Sequence, residues 1–170
     1  RALQGAEVVG VEISEGPAKA AEKALDRVFA GNIETIQLPY RPGYFDCIVC
    51  GDVLEHLADP WETVKRLAAL LAPGGRMVSS IPNIQNYRVL RKLVFKGRWD
   101  YADAGILDRT HLRFFTRKTS LEMMAAAGLD AMARHQRGFL ARACAHYNET
   151  VLGAPLPLAA PRIRPRIRAS

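Results

Sequence analysis

Cysteine is scarce in this chain: three of 170 residues, Cys47, Cys50 and Cys144. Three thiols cannot close a disulfide framework, and they fit a reducing compartment, so a cytoplasmic location is expected. Long apolar runs are missing too; none approaches the ~18 residues that cross a bilayer as a helix, which excludes a transmembrane helix. No signal peptide is visible. The chain opens Arg1-Ala2-Leu3-Gln4, with neither Met nor an apolar stretch, and such a start points to a longer chain that has been cut. Aromatics are modest at 8%, yet 49% of residues are hydrophobic and 24% charged, enough to bury a core. That excludes a disordered tail, a coiled coil and a collagen-like rod, and the length suits one domain of ordinary size.

The second half has few acids. Residues 86–170 hold 16 Lys/Arg against 6 Asp/Glu, whereas residues 1–85 hold 8 against 11. Arg162, Arg164, Arg166 and Arg168 lie within the last nine residues. A basic half of this kind could face nucleic acid, an anionic membrane surface or a phosphorylated substrate; alternatively it is a solvated surface with a disordered basic tail.

What is present alternates between strand and helix signals. Glu7–Ile13 is a β-branched run bounded by Gly5 and Ser14-Glu15-Gly16-Pro17 and reads as a short buried strand ending in an acid. A helix follows, with Ala21, Ala24, Leu25 and Val28 at helical spacing, then a second strand near Arg27–Ile33. Tyr44–Cys50 is nearly all apolar and reads as a strand buried on both faces, as in a parallel sheet. Asp59-Pro60-Trp61-Glu62 opens a helix with a cap, a first-position proline and a capping-box acid. Trp61, Val64, Leu67, Ala68 and Leu71 form its core face, and Pro73-Gly74-Gly75 stops it. Arg76–Ile81 is a fourth strand. Tyr87, Leu90 and Val94 mark a short helix with Arg88, Arg91, Lys92 and Lys96 off that face. Residues 97–115 show no period and read as a long loop. Thr116 caps a helix through Leu121, Met124 and Ala125 that Gly128 ends, and a last strand spans 131–139. The tail from Gly153 is rich in Pro and Arg and reads as flexible. This order is βαβ-like, so an α/β fold is expected, a parallel or mixed sheet with helices on both faces.

Ligands of open α/β sheets bind beyond the carboxyl ends of the strands, here Glu12, Asn32-Ile33, Gly51-Asp52-Val53 and Pro82-Asn83. An acid in the position of Glu12 can accept from both hydroxyls of a ribose; the alternative is a surface acid capping the next helix. Asn32 could pair with the amino edge of an adenine, and Ile33 could pack on the ring.

Four segments then fall in order: Val9-Gly10-Val11-Glu12, Phe45-Asp46-Cys47-Ile48-Val49, Asp52-Val53-Leu54-Glu55-His56-Leu57 and Leu71-Ala72-Pro73-Gly74-Gly75. Over roughly residues 5–83 they resemble the class I S-adenosylmethionine (SAM)-dependent methyltransferases, a Rossmann-like fold. Asp108–Thr116 is similar to a stretch of small bacterial members. The resemblance implies SAM as cofactor. Glu12 then matches the ribose acid, with Ile13 beside it; Asn32 and Ile33 match the adenine contacts; Gly51, Asp52 and Val53 lie by the methionine portion. It implies a partial methyltransferase domain over residues 1–140, with a cofactor half (1–83), an acceptor-side helix and lid loop (84–116) and a final helix and strand (117–140). Residues 141–170 follow as a C-terminal extension and flexible tail.

The family's glycine-rich first motif is absent, and with it the first strand, central in the family order 3-2-1-4-5-7-6. Buried backbone groups left unpaired there would cost about 1–3 kcal/mol each, so an N-terminally truncated domain is expected, inactive as it stands if that motif is needed. The implied reaction is methyl transfer to a small-molecule or saccharide-type acceptor, O-directed. For a hydroxyl the protein must accept a proton, and His111, His56 and Glu55 are the candidate bases. His56 could instead pack the following helix, and His111 could be structural in its loop. His135 and His146 lie outside the motifs. No metal is expected; the alternative set is Asp52, Glu55 and His56, oxygen-rich enough for a hard divalent ion. Cys47 and Cys50 differ in strand parity and cannot share a site. The expected partner is a small acceptor, anionic in keeping with the basic half, with peripheral contact to a surface through that half and no nucleic acid. Two other readings stay open: a non-catalytic methyltransferase-like binding module, and an NAD-dependent oxidoreductase using Glu12 on the ribose.

Overall fold

The computed structural model describes residues 5–130 in full and the backbone of 133–136 and 149–153. Its elements are β1 (Val9–Glu12), α1 (Glu15–Ala21), β2 (Arg27–Ala30), β3 (Phe45–Gly51), a 3-10 turn (Leu54–His56), α2 (Pro60–Ala69), β4 (Leu71–Pro82), α3 (Tyr87–Lys96), α4 (Arg117–Ala126), β5 (Ala133–Gln136) and β6 (Glu149–Gly153). They form an α/β structure in two compact units, one running through Pro39 and the other starting at Tyr40.

In the first unit β1 and β2 are parallel, with Glu12 opposite Ala30 at their carboxyl ends. α1 packs on both strands and buries Ala18. Gly10 leaves room for the connection from α1 to β2, since a Cβ there would meet the Leu25 side chain at 2.6 Å. The helix is shorter than the spacing of Ala21, Ala24, Leu25 and Val28 predicts. It ends at Ala21, and Val28 belongs to β2. The Asp26 carboxylate caps the Val8 amide at 2.9 Å and so starts the second strand where the helical pattern would have continued.

The second unit holds a mixed sheet in the order β3-β4-β6-β5, with β3 parallel to β4 and β6 antiparallel to both neighbours. The two sheets therefore reproduce the 3-2 and 4-5-7-6 portions of the expected order; among the described residues no strand joins them. β6 lies inside the segment expected to be an extension. Its five residues sit between two strands of the sheet, and a run that short, just before the Pro- and Arg-rich tail, carries too little periodic signal to mark a strand. Cys144, His146 and the arginines of 162–168 lie outside the described residues, as do the side chains of β5 and β6.

β4 begins at Leu71, five residues before the expected start. Leu71 pairs with Phe45 and Arg76 with Cys47, so Ala72-Pro73-Gly74-Gly75 is an excursion within the strand and not the gap before it. Gly74 is left-handed at φ +78°, and a Cβ on Gly75 would lie 2.8 Å from the Ala72 carbonyl oxygen. β3 is not buried on both faces as its apolar run suggested. Cys50 is buried, but Cys47 is exposed and Val49 is 70% exposed, because β3 is the edge of its sheet among the described residues. The two thiols do point apart, as their parity requires. Burial pushes the Cys50 thiol up to about 11.

The core is built on Leu54, Val64, Leu67, Ile81, Phe115, Met123 and Met124. Asp59 caps α2 by accepting from the Glu62 amide at 3.1 Å, with Pro60 in the first turn. Trp61 does not join the core face. It is 46% exposed and rests its ring 5.7 Å from that of Phe115, since a first-turn indole is too large to follow Val64 inward. α4 opens on a reciprocal capping box between Thr116 and Thr119 and buries Ser120, Met123 and Met124.

Candidate functional site

Glu12 and Ile13 lie where β1 ends, and Asn32 and Ile33 follow β2 on the same side, because parallel strands bring their carboxyl ends together. One Glu12 carboxylate oxygen accepts from the Ser14 amide at 2.9 Å, beside the start of α1. The capping alternative is thus partly realised, through one of the two carboxylate oxygens. Asn32 Oδ1 accepts from the Glu34 amide at 2.8 Å, which leaves its NH2 group as the outward donor. That donor suits a ring nitrogen better than the amino edge expected from the sequence. Ile13 is 68% exposed, as an apolar contact awaiting a partner would be.

In the second unit Gly51, Asp52 and Val53 carry the chain out of β3. Asp52 is the one described non-glycine residue with positive φ, at +50°. Its amide donates to the Ser80 carbonyl oxygen at 3.2 Å, and its Oδ1 accepts from Ser80 Oγ at 3.1 Å, so β4 holds the strained residue in place. Such strain persists only where surrounding structure over-determines it, and it concentrates at functional sites.

The 3-10 turn that follows places Glu55 and His56 beside His111 from the long loop. One ligand-capable atom of each lies within 4.8 Å of the others. The loop is fastened to the turn by backbone bonds, because the Leu112 and Arg113 amides both donate to the Glu55 carbonyl oxygen, at 2.8 and 3.0 Å. The Arg113 guanidinium also donates to the Ala58 carbonyl oxygen. The rings of His56 and His111 meet edge to face at 4.7 Å.

Hydrogen bonds assign the tautomers. His111 is buried, and its Nδ1 lies 3.1 Å from the Ile106 carbonyl oxygen. A carbonyl only accepts, so Nδ1 carries the proton and Nε2 offers a lone pair. His56 Nδ1 lies 3.3 Å from the Thr110 carbonyl oxygen and 3.2 Å from Thr110 Oγ1. That hydroxyl already donates to Asp108 Oδ1 at 2.6 Å, so it too accepts from His56. Two hydrogen bonds from Thr110 hold the Asp108 carboxyl below its usual range, the histidines adding to the effect.

Glu55 is 1% exposed, and neither carboxylate oxygen has a hydrogen-bond partner. Burial pushes its carboxyl up to about 7; its own backbone amide opposes the shift in part, and Asp52 adds to it. A buried carboxyl without a donor is costly, and its proton balance lies near neutrality, as a proton-transferring group requires. The structure thus gathers three of the expected residues, Glu55, His56 and His111. Asp52, named with Glu55 and His56 in the metal alternative, is outside this group and bonded to Ser80. The three could share a divalent ion or a proton. Sequence reasoning missed their proximity, for which Asp108-Arg109-Thr110-His111 offered a motif but no distance.

Phe114 borders His111, and Trp99 and Tyr101 in turn border Phe114. The Phe114 ring lies 5.3 Å from that of Trp99, and 6.4 Å from those of both Tyr101 and His111. An open groove of about 470 Å³ elsewhere is lined by Gln85, Arg117, Lys118, Leu121, Glu122 and Ala125 and contains none of the expected site residues.

Comparison with known proteins bears on what this arrangement is. The ubiquinone biosynthesis O-methyltransferase of Acinetobacter baylyi is 29% identical over 115 residues, which are 59% of this chain and 48% of that protein. The chain spans about half the length of such relatives. Among solved structures, a SAM-dependent methyltransferase of Methanosarcina mazei superposes with a TM-score of 0.65 at 15% identity, covering 88% of this chain and 82% of the other. The 1,6-didemethyltoxoflavin-N1-methyltransferase of Burkholderia thailandensis, solved with S-adenosylhomocysteine, gives 0.59 at 19% identity, covering 89% and 61%. At these identities the structures show the shared fold. Residues 2–133 match a family model described as a methyltransferase domain, which takes in both the strand-end acid and the histidine loop, and the chain belongs to that family.

Proposed function

We propose that the chain carries SAM-dependent methyl transfer to the hydroxyl of a small-molecule acceptor. The observation that carries this reading is the buried His111, whose Nδ1–H is committed to Ile106, so that Nε2 keeps its lone pair, in a cluster where one ring nitrogen lies within 4.8 Å of an oxygen of the partnerless Glu55 carboxyl. An amine or hydroxyl must lose a proton as it is methylated, and a hydroxyl needs a positioned base. The relatives named O-methyltransferases support the same choice of atom.

The residues fit the cofactor's chemistry. When bound, SAM supplies a methyl group activated on a sulfonium centre. In the first unit Glu12 would accept from the ribose hydroxyls, Asn32 would donate to the adenine edge, and Ile13 and Ile33 would give apolar contact to the ring. In the second unit Gly51, Asp52 and Val53 would be the residues for the methionine portion. His111 takes the acceptor's proton at Nε2, and Glu55 shares it. His56 keeps the His111 ring in place by edge-to-face contact. The rings of Trp99, Tyr101 and Phe114 offer an apolar wall for a flat acceptor.

Isothermal calorimetry of the full-length gene product with SAM, followed by transfer of labelled methyl to paired acceptors that differ only in a free or blocked hydroxyl, tests this. Binding heat and labelling of the free hydroxyl alone are expected. Heat without labelling of any hydroxyl would favour a binding module, and no heat at millimolar SAM would sink the cofactor assignment.

A further inference from the structure

The ten residues of α3 (Tyr87-Arg88-Val89-Leu90-Arg91-Lys92-Leu93-Val94-Phe95-Lys96) have no use in the site above, and the helix buries none of them. Its apolar side chains are exposed: Leu90 and Leu93 at 40%, Tyr87 at 59%, Val94 at 70% and Phe95 at 80%. They are ordered around the axis. At 100° per residue Val89, Leu93, Leu90, Val94 and Tyr87 occupy one continuous arc, and Arg91, Arg88, Lys92 and Lys96 occupy the opposite arc, with Phe95 among them. The helix contains no acid. Among the described residues only Lys92 of its four cations reaches a carboxylate, that of Asp100 at 3.9 Å. The Arg91 guanidinium lies 5.9 Å from the centre of the Tyr87 ring. Both ends are firmly formed. Asn86 caps the start through the Arg88 amide at 2.9 Å, and Gly97 closes the end in the left-handed region at φ +60°.

We infer that α3 is an interfacial helix that lays its Tyr87–Leu90–Leu93–Val94 face into an anionic phospholipid surface while Arg88, Arg91, Lys92 and Lys96 meet the headgroups. An apolar face on a globular protein has to be covered or has to have a partner. Here charge selects the partner. A second copy of the chain seated on the apolar arc would bring an identical acid-free helix and leave the basic arc without an anionic partner. An anionic bilayer complements the cations and the apolar arc together, which is the composition of helices that lie in the membrane plane. The surface also suits the chain's division of charge, since residues 86–170 carry the cationic excess.

Vesicle co-sedimentation of the protein tests this, with phosphatidylcholine alone and with phosphatidylcholine mixed with phosphatidylglycerol. Binding to the mixed vesicles and little to the neutral ones is expected. The double variant Arg88→Glu/Arg91→Glu should lower partition at least about tenfold. Leu90→Ser/Val94→Ser should lower it with the cations intact, and added salt should weaken the wild type. All four substituted side chains are exposed, and an unchanged circular dichroism spectrum confirms that the variants fold. Equal binding to both vesicle types, or binding that neither variant changes, overturns the proposal. So does a dimer in sedimentation velocity that Leu90→Ser/Val94→Ser dissolves, which would assign the face to a second copy.

Discussion

His111 gives its Nδ1 proton to the carbonyl oxygen of Ile106, five residues back in the same loop, at 3.1 Å. The bond fixes both the tautomer and the ring plane, so the lone pair at Nε2 is set before any ligand arrives. Replacing His111 by Ala should lower turnover ~10²–10⁴-fold, the scale of a lost general base. SAM affinity should stay within about twofold, because the proposed role of the residue is toward the acceptor. Steady-state rates with parallel calorimetry read both; a change in turnover below threefold would make His111 structural.

Glu55 makes stability depend on pH. Its carboxyl titrates at about 7 in the folded protein against 4.5 unperturbed, so the fold binds this proton more tightly than the unfolded chain does. The resulting stabilisation is complete below pH 4.5 and is lost as pH rises through 7. Glu55→Gln stays neutral. It should therefore match the wild type near pH 4.5 and exceed it at pH 8 by up to roughly 3 kcal/mol. Urea unfolding at the two pH values measures the difference; an equal offset at both would show that Glu55 is not held protonated.

Glu12→Ala should weaken SAM binding by about 1–3 kcal/mol, the value of hydrogen bonds to a charged acceptor. Glu12→Gln should recover part of the loss, since an amide oxygen still accepts. Calorimetry on both variants decides, and unchanged affinity in Glu12→Ala would remove the residue from the site.

Gly75 tests the fold. A methyl group there would lie 2.8 Å from the Ala72 carbonyl oxygen and 3.1 Å from that of Phe45. Both are backbone atoms, one within the excursion and one in the paired strand β3, and neither can swing aside as a side chain would, so Gly75→Ala should cost about 1–3 kcal/mol. A thermal midpoint equal to that of the wild type would mean that the excursion in β4 relaxes freely.

Chelation addresses the three clustered donors. If they move a proton, EDTA should leave methyl transfer unchanged within about twofold. A loss restored by a divalent ion would assign Glu55, His56 and His111 to a metal instead.

Much of the first unit and of α2 was legible in the sequence because local signals agreed there. β-branched runs ended at Glu12, and Asp59-Pro60 fixed the start of α2. What was not legible depends on distant partners. Pro73-Gly74-Gly75 punctuates the chain strongly, yet Leu71 pairs with Phe45 before it, and only the neighbouring strand reveals that β4 has begun. The apolar run of β3 could not say which faces would be covered, so Val49 was assigned to the interior and is exposed. Glu55 and His111 are 56 residues apart, joined through a loop without any period, and hydrophobic patterning is silent about such a contact.

The two amides that Leu112 and Arg113 direct onto the Glu55 carbonyl oxygen have a consequence for how acceptor choice can change. They divide the long loop. The stretch from Gly97 to Tyr101 is free of that anchor, whereas Ala102 bonds to Leu107 and Arg109, Ile106 holds His111, and the stretch around His111 is tied to the turn that carries Glu55. On the proposed function, substitutions at Trp99 or Tyr101 would reshape acceptor preference while Glu55 and His111 keep their spacing. Diversification and chemistry would then fall on adjacent lengths of chain, an arrangement in which new specificities can arise without first losing activity.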